Sequence, residues 1–278
     1  MPTTAAPMTE DRRLHLYAQL GIENQVTGEG TAEATMPVRP GILTAGGIRA
    51  ALLALLIEGS FGGNILQAGL FPVLDNMTVH IRDGSDGVRL VKSHGEIVRG
   101  AQRATAFGRV EDASDPSWLL AYATIGYFMI QPRSEYMPQG RSVMRASDEP
   151  GIPRDTERPI LDIMQMRIRP DEPVCELDHV HGGVLAPEGR LHGGAHQLMH
   201  EAAALAAASR RWGTDAVQVR DFSIRFVKPA MRGPFEARAS VLSASDTDLL
   251  CQVVLIDRGA DGPIRSLSTM RIGMAKSA

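Results

Sequence analysis

Apolar and polar side chains alternate strictly along much of this chain. Met77, Val79 and Ile81 oppose Thr78, His80 and Arg82, and Phe222, Ile224 and Phe226 oppose Ser223 and Arg225. That is the period of a strand with one buried face. The segments "GEIVRGAQRATAFGRVED", "WLLAYATIGYFMI", "PFEARASVLSAS", "LLCQVVLID" and "RSLSTMRIGM" read as further strands with turn residues between them. Two stretches break the period. "IRAALLALLI" (48–57) is apolar on nearly every face, and "EAAALAAA" (201–208) is small on every face. A helix of either kind is buried all round. Each follows a Gly-Gly pair, Gly46-Gly47 or Gly193-Gly194, and a short strand-like piece, "EGTAEATMPV" or "EPVCELDHV", comes before it. No second long helical pattern occurs in either half. The expected architecture is α+β, one helix on an antiparallel sheet, made twice.

The two sets of elements match each other in sequence. Setting Gly46-Gly47 on Gly193-Gly194 gives an offset of 147, while "DNMTVHIRDG" (75–84) on "RDFSIRFVKP" (220–229), Thr124 on Thr269 and Met129 on Met274 give 145. So small a drift points to a duplication. Between the sets, "QPRSEYMPQGRSVMRASDEPGIPRDTER" is rich in Pro, Ser, Arg and acidic residues and has no hydrophobic period, as a linker would. The expected organisation is a first half over 1–132, a linker over 133–158 and a second half over 159–278.

Composition narrows the class. Of 278 residues, 44% are hydrophobic and 22% charged, as in an ordinary globular protein. A net charge of −3 offers no basic face for nucleic acid. Cys175 and Cys251 stand in no metal or redox spacing and fit a reducing, cytoplasmic setting. The start, "MPTTAAPMTEDRR", lacks the layout of a signal peptide. The apolar run "AALLALLIEG" falls far short of the ~20 residues that span a bilayer, so no membrane association is expected.

The candidate chemistry gathers in "GRLHGGAHQLMHEAAALAAASRR" (189–211). His192, His196 and His200 recur every four residues along one helix face, with His179 and His181 nearby, and such a stripe can hold a divalent metal. A zinc helix, however, takes two histidines one turn apart and its other ligands from elsewhere, so no metal is the preferred reading. Packing or hydrogen bonding at the interface between the halves is expected for His196 and His200. The glycines offer a helix start with free N–H groups and no side chain in the way. Glu201, among alanines, is a carboxylate whose pKa desolvation raises. Trp118 and Trp212 read as structural.

A central helix opened by His192-Gly193-Gly194, with Glu201 nine positions after the histidine, resembles the hotdog-fold acyl-CoA thioesterases, specifically the phenylacetate-pathway and hydroxybenzoyl-CoA type. The sheet pattern "VRDFSIRFVKPAMRGPFEARASV" is also similar to that family. The resemblance covers 165–275 well and 14–130 weakly, so the whole chain looks like a double hotdog. It implies hydrolysis of an acyl- or aryl-CoA thioester, with coenzyme A as part of the substrate, no separate cofactor, and a homodimer of double hotdogs. Arg220, Arg225, Lys228 and Arg232 are the candidates for the coenzyme A phosphates. The chain departs from the family at Ala186, where an Asn or Gln is common, and in the first half, where Ala45 and Ala54 stand at the motif's His and acid places.

Gly193 and Glu201 are eight residues apart, ~12 Å along a helix, so they cannot serve one thioester carbon. The resemblance implies that each helix's carboxylate faces the start of the other helix. Glu201 is then expected at Gly46-Gly47, giving one working site per chain. The opposite site would pair His192-Gly193 with Ala54, and Glu58 is the one nearby first-half carboxylate that could substitute. Two rival readings remain open: a non-catalytic acyl-CoA or lipid-binding protein, and a metal-dependent enzyme using the histidine stripe.

Overall fold

In a computed structural model, the described residues are 15–82, 85–131, 157–186, 189–260 and 264–275. All but residues 157 and 158 of the expected linker lie outside them. Two long helices, α2 (Ala50–Gln67) and α4 (Gly193–Trp212), pack against each other and on one continuous sheet of twelve strands. Short helices α1 (Leu16–Leu20) and α3 (Ile160–Ile163) precede the first strands of each half. The first half supplies β1 (Glu23–Gly28), β2 (Thr31–Pro37), β5 (Phe71–Ile81), β6 (Leu90–Arg99), β7 (Arg103–Asp112) and β8 (Asp115–Ile130). The second supplies β9 (Arg167–Ile168), β10 (Val174–Leu177), β13 (Val217–Phe226), β14 (Phe235–Ala244), β15 (Asp248–Asp257) and β16 (Ile264–Met274). Two-residue ladders, β3 (Leu43–Thr44) with β4 (Gly47–Ile48) and β11 (Leu185–Ala186) with β12 (Arg190–Leu191), lie just before the long helices. The architecture is a double hotdog.

The sheet runs β1-β2-β6-β7-β8-β5-β13-β16-β15-β14-β10-β9, antiparallel throughout. The halves join where β5 pairs with β13, Thr78 opposite Ser223. On either side Thr78 pairs with Thr124 and Ser223 with Thr269. These partners differ by 145 positions within each pair of counterparts, so a pseudo-two-fold passes between Thr78 and Ser223. Alternation places Met77, Val79, Ile81, Phe222 and Ile224 in the core, facing the helices.

Burial of both helices follows from their side chains. Residues 50–57 of α2 are all 3% exposed or less, and the alanines of α4 let it approach β14 and β15 closely. Apolar burial of this extent is the main stabilising term. Helix α4 stops at Gly213, whose left-handed φ of 67° closes the cap. The helix start in the first half differs from the expected one. Ala45 and Gly46 form the turn of the β3–β4 ladder, Gly47 opens β4, and α2 begins at Ala50 with Arg49 as its N-cap. Gly47 needs its positive φ of 113°, and a Cβ there would stand 2.2 Å from Ser85 Oγ. The physical reason is local: Thr44 Oγ1 accepts from Gly46 N and donates to Gly47 O, while Ser85 Oγ accepts from Ile48 N. These bonds hold the glycines in a turn.

Candidate active site

Counting from the first helical residue corrects the helix alignment. Ala50 in α2 corresponds to Gly193 in α4, and Arg49 corresponds to the N-cap His192. Eight residues further on, Glu58 corresponds to Glu201. Each helix therefore carries one glutamate at the same depth, and each glutamate reaches the start of the opposite helix.

At the start of α2, Glu201 is 2% exposed. Its Oε1 accepts from Ala50 N at 2.6 Å, and its Oε2 lies 3.7 Å from Arg49 Nη1. Desolvation pushes its carboxyl above the usual range, and Arg49 with the N–H groups of Ala50 and Ala51 pulls it back. The structure thus brings Glu201 to the first turn of α2, but to Ala50 and Ala51 and not to Gly46-Gly47. Gly46 instead backs onto β13, where a Cβ would stand 2.4 Å from Val217 O. The N–H groups at this helix start are already engaged by the Glu201 carboxylate, which also faces the Arg49 guanidinium.

At the start of α4 the arrangement is open. His192 Nδ1 accepts from Gly194 N at 3.0 Å, which leaves Nε2 carrying the ring proton. Burial, with neighbouring His15, His196 and Arg190, keeps this imidazole neutral, well below its ordinary pKa. Gly193 N–H has no partner among the described residues. Glu58 Oε1 lies 3.0 Å from the point where a Cβ of Gly193 would sit, so a side chain there would press the carboxylate back by a few tenths of an ångström. Gln197 donates from Nε2 to Glu58 Oε2 at 2.7 Å. Desolvation pushes the partly exposed Glu58 up to about 7, and the Gln197 bond opposes that rise. Tyr127 OH donates to Glu58 O at 3.1 Å. His15 and Tyr17 pack edge-on against the His192 ring at 5.3 and 5.4 Å between centroids. The phenols of Tyr17 and Tyr127 are pushed well above 10 by burial and by the Glu58 charge.

Sequence reasoning missed Gln197, His15, Tyr17 and Arg49. The available signals were a glutamine one turn before Glu201 on the same helix face and an arginine at the place of the motif histidine. Ala186, where the resembled family often has an amide, is buried in β11. Gln197 supplies an amide from a different position. Ala54 is fully buried in α2, and Ala45 lies exposed in the turn before it.

The other histidines of the stripe face β16 of their own half and not the interface between the halves. His196 Nδ1 is 2.9 Å from Ser266 Oγ, and His200 spans Ser268 Oγ at 2.7 Å and Ser266 Oγ at 2.9 Å. His181 bonds Met164 O and Gly183 N. Among the described residues no three His, Cys, Asp or Glu side chains converge as a metal would require. Burial lowers His196 to about 3 and puts His200 well below its usual value. Below pH ~6.5 the unfolded chain binds protons that these buried rings refuse, so stability falls with pH. From pH 7 to pH 5 the His196 ring alone costs about 2 kcal/mol by linkage. Urea midpoints at the two pH values check this, and a midpoint independent of pH contradicts it.

The candidate phosphate ligands divide between the two ends of the sheet. Arg225 pairs in register with Asn76 at the middle of β5, the strand whose Leu74 meets Gly193. Arg225 and Lys228 are exposed, and Arg225 alternates with the core-facing Phe222 and Ile224, so it lies on the sheet face away from the helices. Arg232 is exposed near Gly259, its Nη1 3.3 Å from Gly259 O. Arg220 lies at the other end, bonded from Nη2 to Met274 O at 2.7 Å. Trp212 Nε1 donates to Ser245 O at 3.2 Å, while Trp118 is 41% exposed. Among the described residues no helix is long and apolar enough to cross a membrane.

Comparison with known proteins bears on the fold. Residues 188–261, from just before His192 to the end of β15, match the model of the Thioesterase superfamily. No match is found among curated proteins. Solved structures with a similar fold include the 12:0-ACP thioesterase of Umbellularia californica, with TM-score 0.56, 12% identity, and 90% of this chain and 99% of that chain covered. An acyl-ACP thioesterase of Bacteroides thetaiotaomicron gives 0.54 and 12%, covering 92% and 99%. The tesB protein of Mycobacterium avium subs paratuberculosis gives 0.51 and 14%, covering 94% and 98%. The chain has the hotdog fold of these proteins, and its α4 half carries the match to the Thioesterase superfamily.

Proposed function

We propose that this protein hydrolyses an acyl thioester, with coenzyme A as the carrier, at the junction of Glu58 and the α4 start. The observation that carries the reading is the Glu58 carboxylate set against Gly193, whose N–H is free. That N–H is placed to polarise the thioester carbonyl, since a helix start adds a favourable dipole where negative charge develops. Glu58 takes a proton from water, the water oxygen attacks the carbonyl carbon, and the C–S bond breaks. The thiolate leaves and receives the proton held on Glu58. Gln197 orients the carboxylate, and neutral His192 caps the helix so that Gly194 N–H is occupied while Gly193 N–H stays available. Arg225 and Lys228, both exposed, are the candidates to attract the carrier's phosphates. Glu201 has the motif position but serves as a capping, ion-paired group.

The experiment is thiol release from a panel of acyl- and aryl-CoA thioesters. Turnover of at least one supports the reading; binding without turnover across the panel supports the non-catalytic alternative. Because Glu58 must be ionised to act as a base, kcat/KM should rise with pH through about 7. Gln197→Leu removes the bond that favours the charged form, so this limb should move to higher pH. A limb that stays in place or moves down contradicts the role given to Gln197.

A further inference from the structure

His192 takes up Gly194 N–H, so the α4 start offers a carbonyl oxygen one backbone donor, Gly193 N–H. A developing oxyanion accepts more than one. Tyr17 of α1 stands beside this junction. Its ring packs edge-on against His192, the residue before Gly193, at 5.4 Å between centroids. It also lies on Gly59, the residue after Glu58, where a Cβ would stand 2.6 Å from Tyr17 Cε1 and 3.0 Å from the hydroxyl oxygen. Glycine is unfavourable in a helix interior, and here it makes room for the phenol. His15 holds the ring from behind, stacked at 5.4 Å with 3° between the planes. Leu16 N ties α1 down by donating to Gly183 O at 2.9 Å. Among the described residues the Tyr17 hydroxyl has no hydrogen-bond partner. Neighbouring donors are taken: Gln197 Nε2 bonds the Glu58 carboxylate, and Tyr127 OH bonds the Glu58 backbone oxygen. Burial and the Glu58 charge push the Tyr17 phenol well above 10, so at neutral pH it carries its proton.

The pseudo-two-fold supplies a comparison. Counted from the first helical residue, Leu161 of α3 takes the place of Tyr17, and Ala202 of α4 takes that of Gly59. Both are buried. The helix start that Glu201 caps therefore lacks both the phenol and the glycine that admits it. Phenol and glycine occur together where the glutamate faces a free N–H.

We infer that Tyr17 is a further catalytic residue, its hydroxyl donating to the thioester carbonyl oxygen as a second partner beside Gly193 N–H. The inference rests on the proposed reaction at Glu58, which sets the carbonyl between Glu58 and Gly193. Tyr17 spans the chain neighbours of those two residues, Gly59 and His192, so its hydroxyl approaches from α1 while the N–H approaches from α4. Both hydrogen bonds strengthen as negative charge gathers on the oxygen. The phenol keeps its proton throughout, and the proton taken from water stays with Glu58.

Tyr17→Phe keeps the ring on His192 and Gly59 and removes the hydroxyl alone. Its kcat should fall on the order of 10²-fold, the loss when one donor to an oxyanion is removed, while the pH limb set by Glu58 stays in place. Calorimetric binding gives a readout independent of turnover. S-trifluoroacetonyl-coenzyme A, whose ketone hydrates to a tetrahedral form, should bind Tyr17→Phe about tenfold more weakly than wild type. The Kd of S-propyl-coenzyme A, which has no oxygen at that place, should be unchanged. An unchanged Kd for the trifluoroacetonyl compound overturns the inference. Equal weakening of both compounds, or a shifted pH limb, overturns it too, by marking ring packing or a bond to Glu58 as the role of Tyr17. So does wild-type turnover by Tyr17→Phe beside an inactive Glu58→Gln. Full activity of Glu58→Gln would instead remove the proposed reaction, and the two coenzyme A compounds would still decide the role of Tyr17.

Discussion

Glu58→Gln is expected to lower kcat by roughly 10²–10⁴-fold, the range a positioned general base contributes, with little change in KM. The isosteric amide keeps an oxygen for Gln197 Nε2, 2.7 Å away in the wild type, so the site should keep its shape. Stability should move in the opposite direction from activity. A carboxyl held at about 7, above its unfolded value of 4.5, binds more protons in the folded chain. It therefore costs stability as pH rises through that window. Removing the charge should raise Tm at pH 8 and leave Tm nearly unchanged at pH 5. A dead but stabilised variant is the signature of a carboxylate kept for chemistry. Loss of activity together with loss of fold would instead mark Glu58 as structural.

Glu201→Ala should produce the converse. Glu201 is buried, accepts from Ala50 N, and faces an Arg49 whose Nε and Nη1 have no hydrogen-bond partner. Removing the carboxylate strands a buried guanidinium, which costs about 3–5 kcal/mol. Glu201→Gln should cost less, because its amide oxygen can still accept from Ala50 N. In both variants the turnover per folded molecule should remain within a few-fold of wild type. Replacing both partners, Arg49→Leu with Glu201→Leu, should recover much of the loss, since an ion pair in a core is often replaceable by apolar packing. Chemical denaturation of the two single variants and the double variant measures this coupling. Additive losses would mean that Arg49 and Glu201 do not act as a pair.

These two results separate what the sequence makes legible from what it hides. The fold was legible because period-two alternation and two uniformly apolar or small helices leave few architectures. The junction of the halves was legible in the 145 offset, which the Thr78–Ser223 pairing reproduces. The helix starts were not, because a Gly-Gly pair carries no statement of whether it opens a helix or turns a ladder. In α4 the pair is the first turn; in the first half Thr44 and Ser85 hold it in a turn three residues before α2. That shift of a few residues moved the expected acid place to Ala54 and hid Glu58 as the true counterpart of Glu201. A motif match also says nothing of charge state. Arg49, brought to Glu201 by the pseudo-two-fold, makes the motif glutamate a cap, whereas desolvation holds Glu58 at about 7 against the opposing Gln197 bond.

The most direct test of the account is the kcat of Glu58→Gln and of Glu201→Gln, measured side by side on the best thioester substrate and normalised to folded protein. The account predicts a loss of at least about a hundredfold for Glu58→Gln and near-wild-type turnover for Glu201→Gln. The reverse order, with Glu201→Gln inactive and Glu58→Gln active, would contradict it.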